Sequence, residues 1–376
     1  MKDNRYQFKV IPSAKVDSLS YHEGIGGNGE IVRYGEGNTF PQDLQKLLNQ
    51  SSVHATCVNA IVNAIVGKGL IADDESILNN ANSEGESWND ILKRAAFDYY
   101  LYGGYALEVI WSVDRTKADV YHVDFGTVRA TEANHRGKVE EYYLSNEWSK
   151  VGRYVKPTDD GAYVKLPAFN PSTKIDNPNQ LFVFSVYSPG QIYYPLPKYA
   201  GALRIIEVDA EVDSYHLNNL KNGLSPTMTI TTFSNADEEG REEMYRQLTD
   251  QFSGTQNAGS LIFMDVDSPD NAPIITPITN NSNDKYYETI NEMVVQKVIT
   301  AHSIPSPEIV GIKTANKLGS KEEITEAYRL MLSVVIEPLQ SEILSGINKL
   351  ISINHPGTEL GIMPIELYPL EEEEDD

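Results

Sequence analysis

Glu108 and Asp124 are the first residues in which catalysis could be sought. Both fall in predicted strands, with Trp111 and Tyr121 close in sequence and tyrosines throughout the surrounding segment. Two carboxylates beside an aromatic sugar-binding surface are what a glycoside hydrolase needs, one as acid and the other as base or nucleophile. Strand carboxylates usually face solvent and strand aromatics usually fill a core, so a carboxylate-pair glycoside hydrolase stands only as an alternative reading. The histidines, at 22, 54, 122, 135, 216, 302 and 355, include no i, i+4 pair, and Cys57 is the one cysteine. That pattern predicts no metal centre. Gly24-Ile25-Gly26-Gly27-Asn28-Gly29 has neither a hydrophobic strand before it nor Gly-Lys-Ser/Thr after it. Gly67-Lys68-Gly69 is a fragment of a nucleotide loop, and no Gly-x-Ser-x-Gly elbow occurs. The expectation is a non-enzymatic protein with no catalytic residue, cofactor or metal of its own.

Charge bears on a second class. Fifty-four acidic residues stand against 31 basic ones, a net charge of −23 over 376 residues. Gripping duplex DNA requires clustered Lys and Arg to displace condensed counterions, so tight or sequence-specific nucleic-acid binding is not expected. Solubility alone is a sufficient reason for such acidity. The 40% hydrophobic content suits ordinary packed modules. Cys57 lies in the apolar stretch 53–66 and reads as a buried, inert thiol in a reducing compartment. The apolar run around 60–66 is much shorter than the ~20 residues of a spanning helix, and Met1-Lys2-Asp3-Asn4-Arg5 opens no signal-peptide core. No membrane association is expected.

The elements that would position a site follow a definite order. Residues 1–39, rich in glycine, read as a flexible arm. Apolar spacing predicts helices over 42–49 and 53–66, closed by Gly67 and Gly69, and over 88–101, capped by Ser87 with Asp90 at the box position. Strands are predicted over 105–111, 120–125, 139–144 and 181–186, with turns such as Asp114-Arg115-Thr116-Lys117 between them. This α+β module ends near residue 200. A helix over 202–221, stopped by Asn222-Gly223, and another over 284–302, ended by Ile304-Pro305-Ser306-Pro307, flank an insert. The insert reads as strand (227–233), charged helix (238–252) and strand (261–264). Ser320 and Glu323 have capping-box spacing and open a helix over 321–350. Its stripe is Ile324, Tyr328, Met331, Leu332, Val335, Leu339, Ile343, Leu344 and Leu350. Residues 354–376 end in six acidic residues and read as a solvated tail.

Three stretches in this order carry a resemblance. They are Tyr215-His216-Leu217-Asn218-Asn219-Leu220-Lys221-Asn222-Gly223-Leu224-Ser225-Pro226, then Ala301-His302-Ser303-Ile304-Pro305-Ser306-Pro307-Glu308-Ile309-Val310-Gly311, then Val335-Ile336-Glu337-Pro338-Leu339. Together, across roughly residues 40–353, the chain resembles the portal proteins of tailed bacteriophages, in the long-tailed branch. The resemblance implies a portal-like α+β fold with a wing of helices and antiparallel strands (40–200) and a first stem helix (201–222). A small α/β clip (223–283), a second stem helix (284–302), a tunnel-loop region (303–320) and a long wing or crown-base helix (321–353) would follow, with a reduced or absent crown. It also implies a homo-oligomer of about twelve subunits at one capsid vertex of the virion, assembled in the host bacterial cytoplasm. Double-stranded DNA would pass through it without sequence specificity. Its partners would be a terminase packaging motor, a head-completion adaptor and the major capsid protein. Another ring-forming tail or baseplate adaptor is the alternative nearest to this reading.

Within that frame, Glu207 and Glu211 share one face of the first stem helix, and Asp209 and Asp213 another, so one pair can line a channel. Lys313, Lys317 and Lys321 recur every four residues and form a basic band if helical, with Gly319 against it. In the clip, Arg241, Glu242 and Arg246 sit among Glu238, Glu239 and Glu243. Such a mixture is ordinarily a solvated helix face; by the resemblance it would meet adaptors and the motor.

Overall fold

The computed structural model describes residues 23–25, 31–148, 163–222, 226–232, 239–240, 242–243, 246, 260–265, 283–312 and 320–365. The chain divides into two compact units, Met1–Arg204 with Val298–Asp376, and Ile205–Lys297.

In the first unit, β1 (Glu23–Ile25) pairs antiparallel with β2 (Val32–Tyr34). Glycine content suggests an arm here, yet Val32 and Tyr34 are fully buried. Helix α1 (Phe40–Gln50) carries Pro41 in its first turn, where a missing N–H leaves no bond unmade. Helix α2 (Ser52–Val66) is capped by Ser51, whose hydroxyl accepts from the His54 amide at 3.1 Å. After the two-residue strand β3 (Leu70–Ile71), α3 (Trp88–Tyr102) opens with both halves of the Ser87/Asp90 capping box and closes on Gly103 at φ 89°.

Strands β4 (Gly104–Trp111), β5 (Ala118–Val123), β6 (Val128–Ala130), β7 (Glu141–Leu144), β8 (Val164–Pro167) and β9 (Asn179–Ser185) follow. They form two antiparallel sheets, ordered β5-β4-β9 and β6-β7-β8. The long strands were legible from their β-branched and aromatic runs; β6 and β8, at three and four residues, were too short to show a period.

A fully buried Arg129 ties β6 to the entry of α1. Its guanidinium donates to Asn38 Oδ1 (2.6 Å), Asn38 O (2.7 Å), Gly126 O (2.9 Å), Val128 O (2.8 Å) and Gln42 Oε1 (3.3 Å), all neutral oxygens. The rings of Tyr34 and Trp148 lie 5.5 and 5.0 Å from its central carbon. Burial lowers the Arg129 pKa to about 10, which leaves it charged at neutral pH. Asn38 serves this hub from a left-handed backbone (φ 61°), and its Oδ1 also accepts from the Tyr34 amide at 3.0 Å.

Helix α4 (Leu203–Asn222) leads into the second unit, which holds β10 (Pro226–Thr232) and β11 (Ser260–Asp265) as a parallel pair. Parallel neighbours need a crossover, and residues 239–240, 242–243 and 246 between them are helical. Helix α5 (Asn283–Ala301) leads the chain back to the first unit.

There α6 (Lys321–Met331), with the Ser320/Glu323 capping box formed, runs through a π segment (Leu332–Ile336) into α7 (Glu337–Asn354). Pro338 has no N–H and crowds the carbonyl four residues back; the Glu337 amide reaches Leu332 O, five residues back. Buried positions therefore step by five, from Met331 to Ile336, before resuming helical spacing at Leu339, Ile343, Ile347 and Leu350. The stripe read from the sequence assumed an unbroken period, so it placed Leu332 and Val335, both half-buried, where Ile336 is the core residue. Among the described residues, Lys321–Asn354 alone is long and apolar enough to cross a membrane; its α7 stripe is spent on the protein core. Strand β12 (Gly361–Ile362) pairs with β3.

Gly346 lets α7 approach β4 and β9. A Cβ there would lie 2.1 Å from the Tyr105 hydroxyl and 3.1 Å from Phe182, and Tyr105 is fixed by donating to Ile343 O at 2.9 Å. Gly346→Ala, favourable for an isolated helix, is expected to lower unfolding free energy by about 2 kcal/mol or more through overpacking, as measured by chemical denaturation.

Candidate functional site

The first unit joins the two ends of the insertion. Tyr199, four residues before α4, and His302, the residue after α5, meet with ring centroids 4.9 Å apart. His54 of α2 packs on both, at 4.8 Å from Tyr199 and 5.1 Å from His302, and Tyr100 of α3 lies 5.7 Å from His302. The Tyr100 hydroxyl and His302 Nδ1 are 2.8 Å apart, and His302 Nε2 and His54 Nδ1 are 3.0 Å apart. Tyr199 donates to Leu101 O at 2.8 Å. One proton shared between facing imidazole nitrogens requires one ring to donate and the other to accept, so neutral rings keep the chain intact and protonation of both would break it. His54 Nε2 is buried without a partner among the described residues.

Burial is the cause of that neutrality. It lowers His54 to about 4 and His302 to about 3, with the neighbouring His54 a smaller contribution to the latter. Cys57, buried in α2, is pushed up to about 12 and is an inert thiol, as its apolar surroundings suggest. The junction is a closed polar fastening, with no activated nucleophile among these groups.

The end of α5 is built to deliver His302. Ser303 takes the left-handed position (φ 56°), its amide bonds Thr300 O at 2.9 Å, and the Ile304 amide bonds Ile299 O at 3.2 Å. These two bonds are the Schellman pattern, with serine where glycine is usual. The sequence showed the terminator at Ile304-Pro305 and missed the fastening, because His54 and His302 are 248 positions apart. The only local signal was a histidine inside a helix stop.

Of the channel candidates, Glu207 is half-buried and Glu211 exposed on α4, while Asp209 between them is buried. Lys321 is exposed in the first turn of α6; Lys313 and Lys317 lie outside the described residues. In the insert, Glu242 is exposed, and Arg246 forms an exposed pair with Glu243 at 2.9 Å, of little energetic weight. Arg241 lies outside the described residues.

The hydrolase pair does not converge. Glu108 stands opposite Tyr121 in the β4–β5 register; Asp124, expected within a strand, lies past the end of β5, three positions beyond that partner. Asp124 accepts from the Gly126 amide at 2.8 Å as the cap of a short turn. The carboxylate that does meet a histidine is Asp98, buried between His122 Nε2 and the Phe125 amide, each at 2.9 Å. Among the described residues no group of three His, Cys, Asp or Glu could hold a metal ion.

No family model and no curated protein matches the sequence. Solved structures do share its fold. A chain in the virion of a native gene transfer agent particle superposes with a TM-score of 0.55 at 16% identity, covering 85% of this chain and 83% of that one. The neck of an empty gene transfer agent particle, computed with C6 symmetry, gives the same values, and the neck of the native particle, computed with C12 symmetry, gives 0.52. This chain accordingly shares the fold of those chains, and its mixture of helices and antiparallel sheets is the α+β class that its sequence suggests.

The junction predicts a pH dependence. Above pH 6.5 both histidines are neutral whether folded or not, and they add no slope. Between 6.5 and about 3 the unfolded chain takes up protons that the folded chain refuses, so stability falls as pH falls across that window, by on the order of 3 kcal/mol per histidine and about 6 kcal/mol for the pair by pH 4. Denaturation as a function of pH should show this loss, and His302→Phe should remove about half of it, leaving the His54 contribution.

Proposed function

We propose that this protein is a portal-type connector of a virus-like particle, a ring of about twelve subunits at one capsid vertex through which double-stranded DNA is packaged and ejected. The observation that carries this reading is the fold shared with chains of the gene transfer agent virion and neck over 85% of this chain. A neck computed with C12 symmetry supports the copy number. The junction supports it separately: the segments entering and leaving the insertion meet at one point, Tyr199 against His302, as two stem helices flanking a clip require.

On this reading α4 and α5 wall the channel, the segment after His302 controls its bore, and Glu207 and Glu211 face the lumen. The strand–helix–strand insert, with Arg241, Glu242 and Arg246, docks a terminase motor and a head-completion adaptor, and the rest of the ring meets the major capsid protein. A net charge of −23 per chain, on the order of 276 negative charges for a dozen copies before screening, suits a conduit that must not hold the polymer. Energy for translocation belongs to the partner motor.

Negative-stain images of the purified full chain are expected to show rings of about twelve units with a central hole and, in side view, a narrow stem and clip. Monodisperse monomers that cleave glycans would overturn the reading in favour of a hydrolase. Rings without the stem profile would favour another tail or baseplate adaptor. In assembled rings, Glu207→Lys with Glu211→Lys should raise retention of duplex DNA at ~50 mM salt by roughly tenfold or more, with the gain disappearing as salt rises; fluorescence anisotropy of labelled DNA reads this directly.

A further inference from the structure

Three consecutive backbone amides converge on one side-chain carboxylate. Tyr193 N and Tyr194 N each lie 2.9 Å from Glu23 Oε1, and Ile192 N lies 3.0 Å from Oε2 and 3.3 Å from Oε1. Successive N–H groups aimed at one point make a concave anion receptor, with the positive ends of the peptide dipoles turned toward the carboxylate. We propose that the amides of Ile192, Tyr193 and Tyr194 form a carboxylate-binding site, with Glu23 as its resident and exchangeable ligand.

The receptor is held in shape by contacts that do not involve Glu23. Tyr193 Oη accepts from the Ala133 amide (3.3 Å), and Tyr194 Oη accepts from the Ala130 amide (2.9 Å) while donating to Val32 O. Within the loop, the Leu196 amide donates to Ser188 Oγ at 2.9 Å and the Gln191 amide to Ser188 O at 3.0 Å. Tyr34 stacks on Tyr194 at 4.1 Å and donates to Pro195 O at 2.8 Å. The loop is therefore fastened to β2 and β6 at Tyr194 and Pro195, through the buried side chains of Tyr34 and Tyr194. Losing the Glu23 carboxylate leaves an intact receptor whose three donors are open to water or to another oxyanion, a charged acceptor making the stronger bonds.

The ligand class follows from the geometry. Oε1 takes an amide from each of the three residues and Oε2 shares the first, an arrangement that fits two coplanar oxygens on one carbon. The site is separate from the insertion junction, and the inference goes beyond the connector reading without resting on it.

Hydrogen-exchange mass spectrometry on the full chain tests it, following the peptide that spans 191–196 with a β4 peptide as internal control. Glu23→Ala should speed exchange in the 191–196 peptide by about tenfold or more and leave β4 unchanged. Sodium acetate, added against sodium chloride at equal ionic strength, should then restore protection saturably. Glu23→Gln, which keeps the side chain's shape but removes its charge and puts an NH2 against the Ile192 amide, should speed exchange as well, and it preserves the reading if the alanine variant folds poorly. Unchanged exchange in both variants, or equal effects of acetate and chloride, would overturn the site.

Discussion

Closing one very large loop is the constraint on which this structure depends. The chain leaves its first unit after Arg204 and returns at Val298, and Tyr199 and His302, just outside those points, hold the two crossings together. Their ring contact, with His54 and Tyr100 completing the hydrogen-bonded chain, supplies that hold. Loop-closure entropy grows only logarithmically with length, so a few buried contacts suffice for an insertion of almost any size. The insertion is thereby free to carry its own small sheet and to answer to different demands from the body that anchors it.

The protein is strongly acidic, yet its interior handles charge with backbone dipoles more than with ion pairs. Arg129 sits fully buried among carbonyl and amide oxygens, and nearer the surface the half-buried Glu23 is held by three main-chain amides. The Glu23 arrangement recruits its neighbour by main chain alone, whereas Arg129 takes three main-chain oxygens together with the side chains of Asn38 and Gln42. Asn38 shows the cost: it must occupy a left-handed conformation to offer both of its oxygens to Arg129.

Local chemistry made much of the fold legible. The Ser87/Asp90 and Ser320/Glu323 boxes formed as their spacing predicts, and the Pro- and Gly-rich stops ended α3 and α5 within one residue of expectation. The strand–helix–strand reading of the insert agrees with a parallel pair. What stayed hidden was long-range. Nothing near Arg129 in sequence announces that Asn38 and Gln42 will enclose it, and the glycines before β2 concealed a hairpin whose burial depends on Tyr194 and Pro195. Paired acidic positions on α4 looked equivalent by helical geometry, whereas packing buries Asp209 and exposes Asp213.

The π segment at Leu332–Ile336 has a consequence for how this helix can vary. One residue more than an α-turn holds is accommodated there, so everything downstream is rotated by about a quarter turn relative to an uninterrupted rod. Losing a single residue within the bulge would restore ordinary winding while leaving the orientation of each flanking half unchanged. The length of the chain between Met331 and Ile336 is therefore a phase adjustment between two independently oriented surfaces, and indels there are the ones such a helix can absorb.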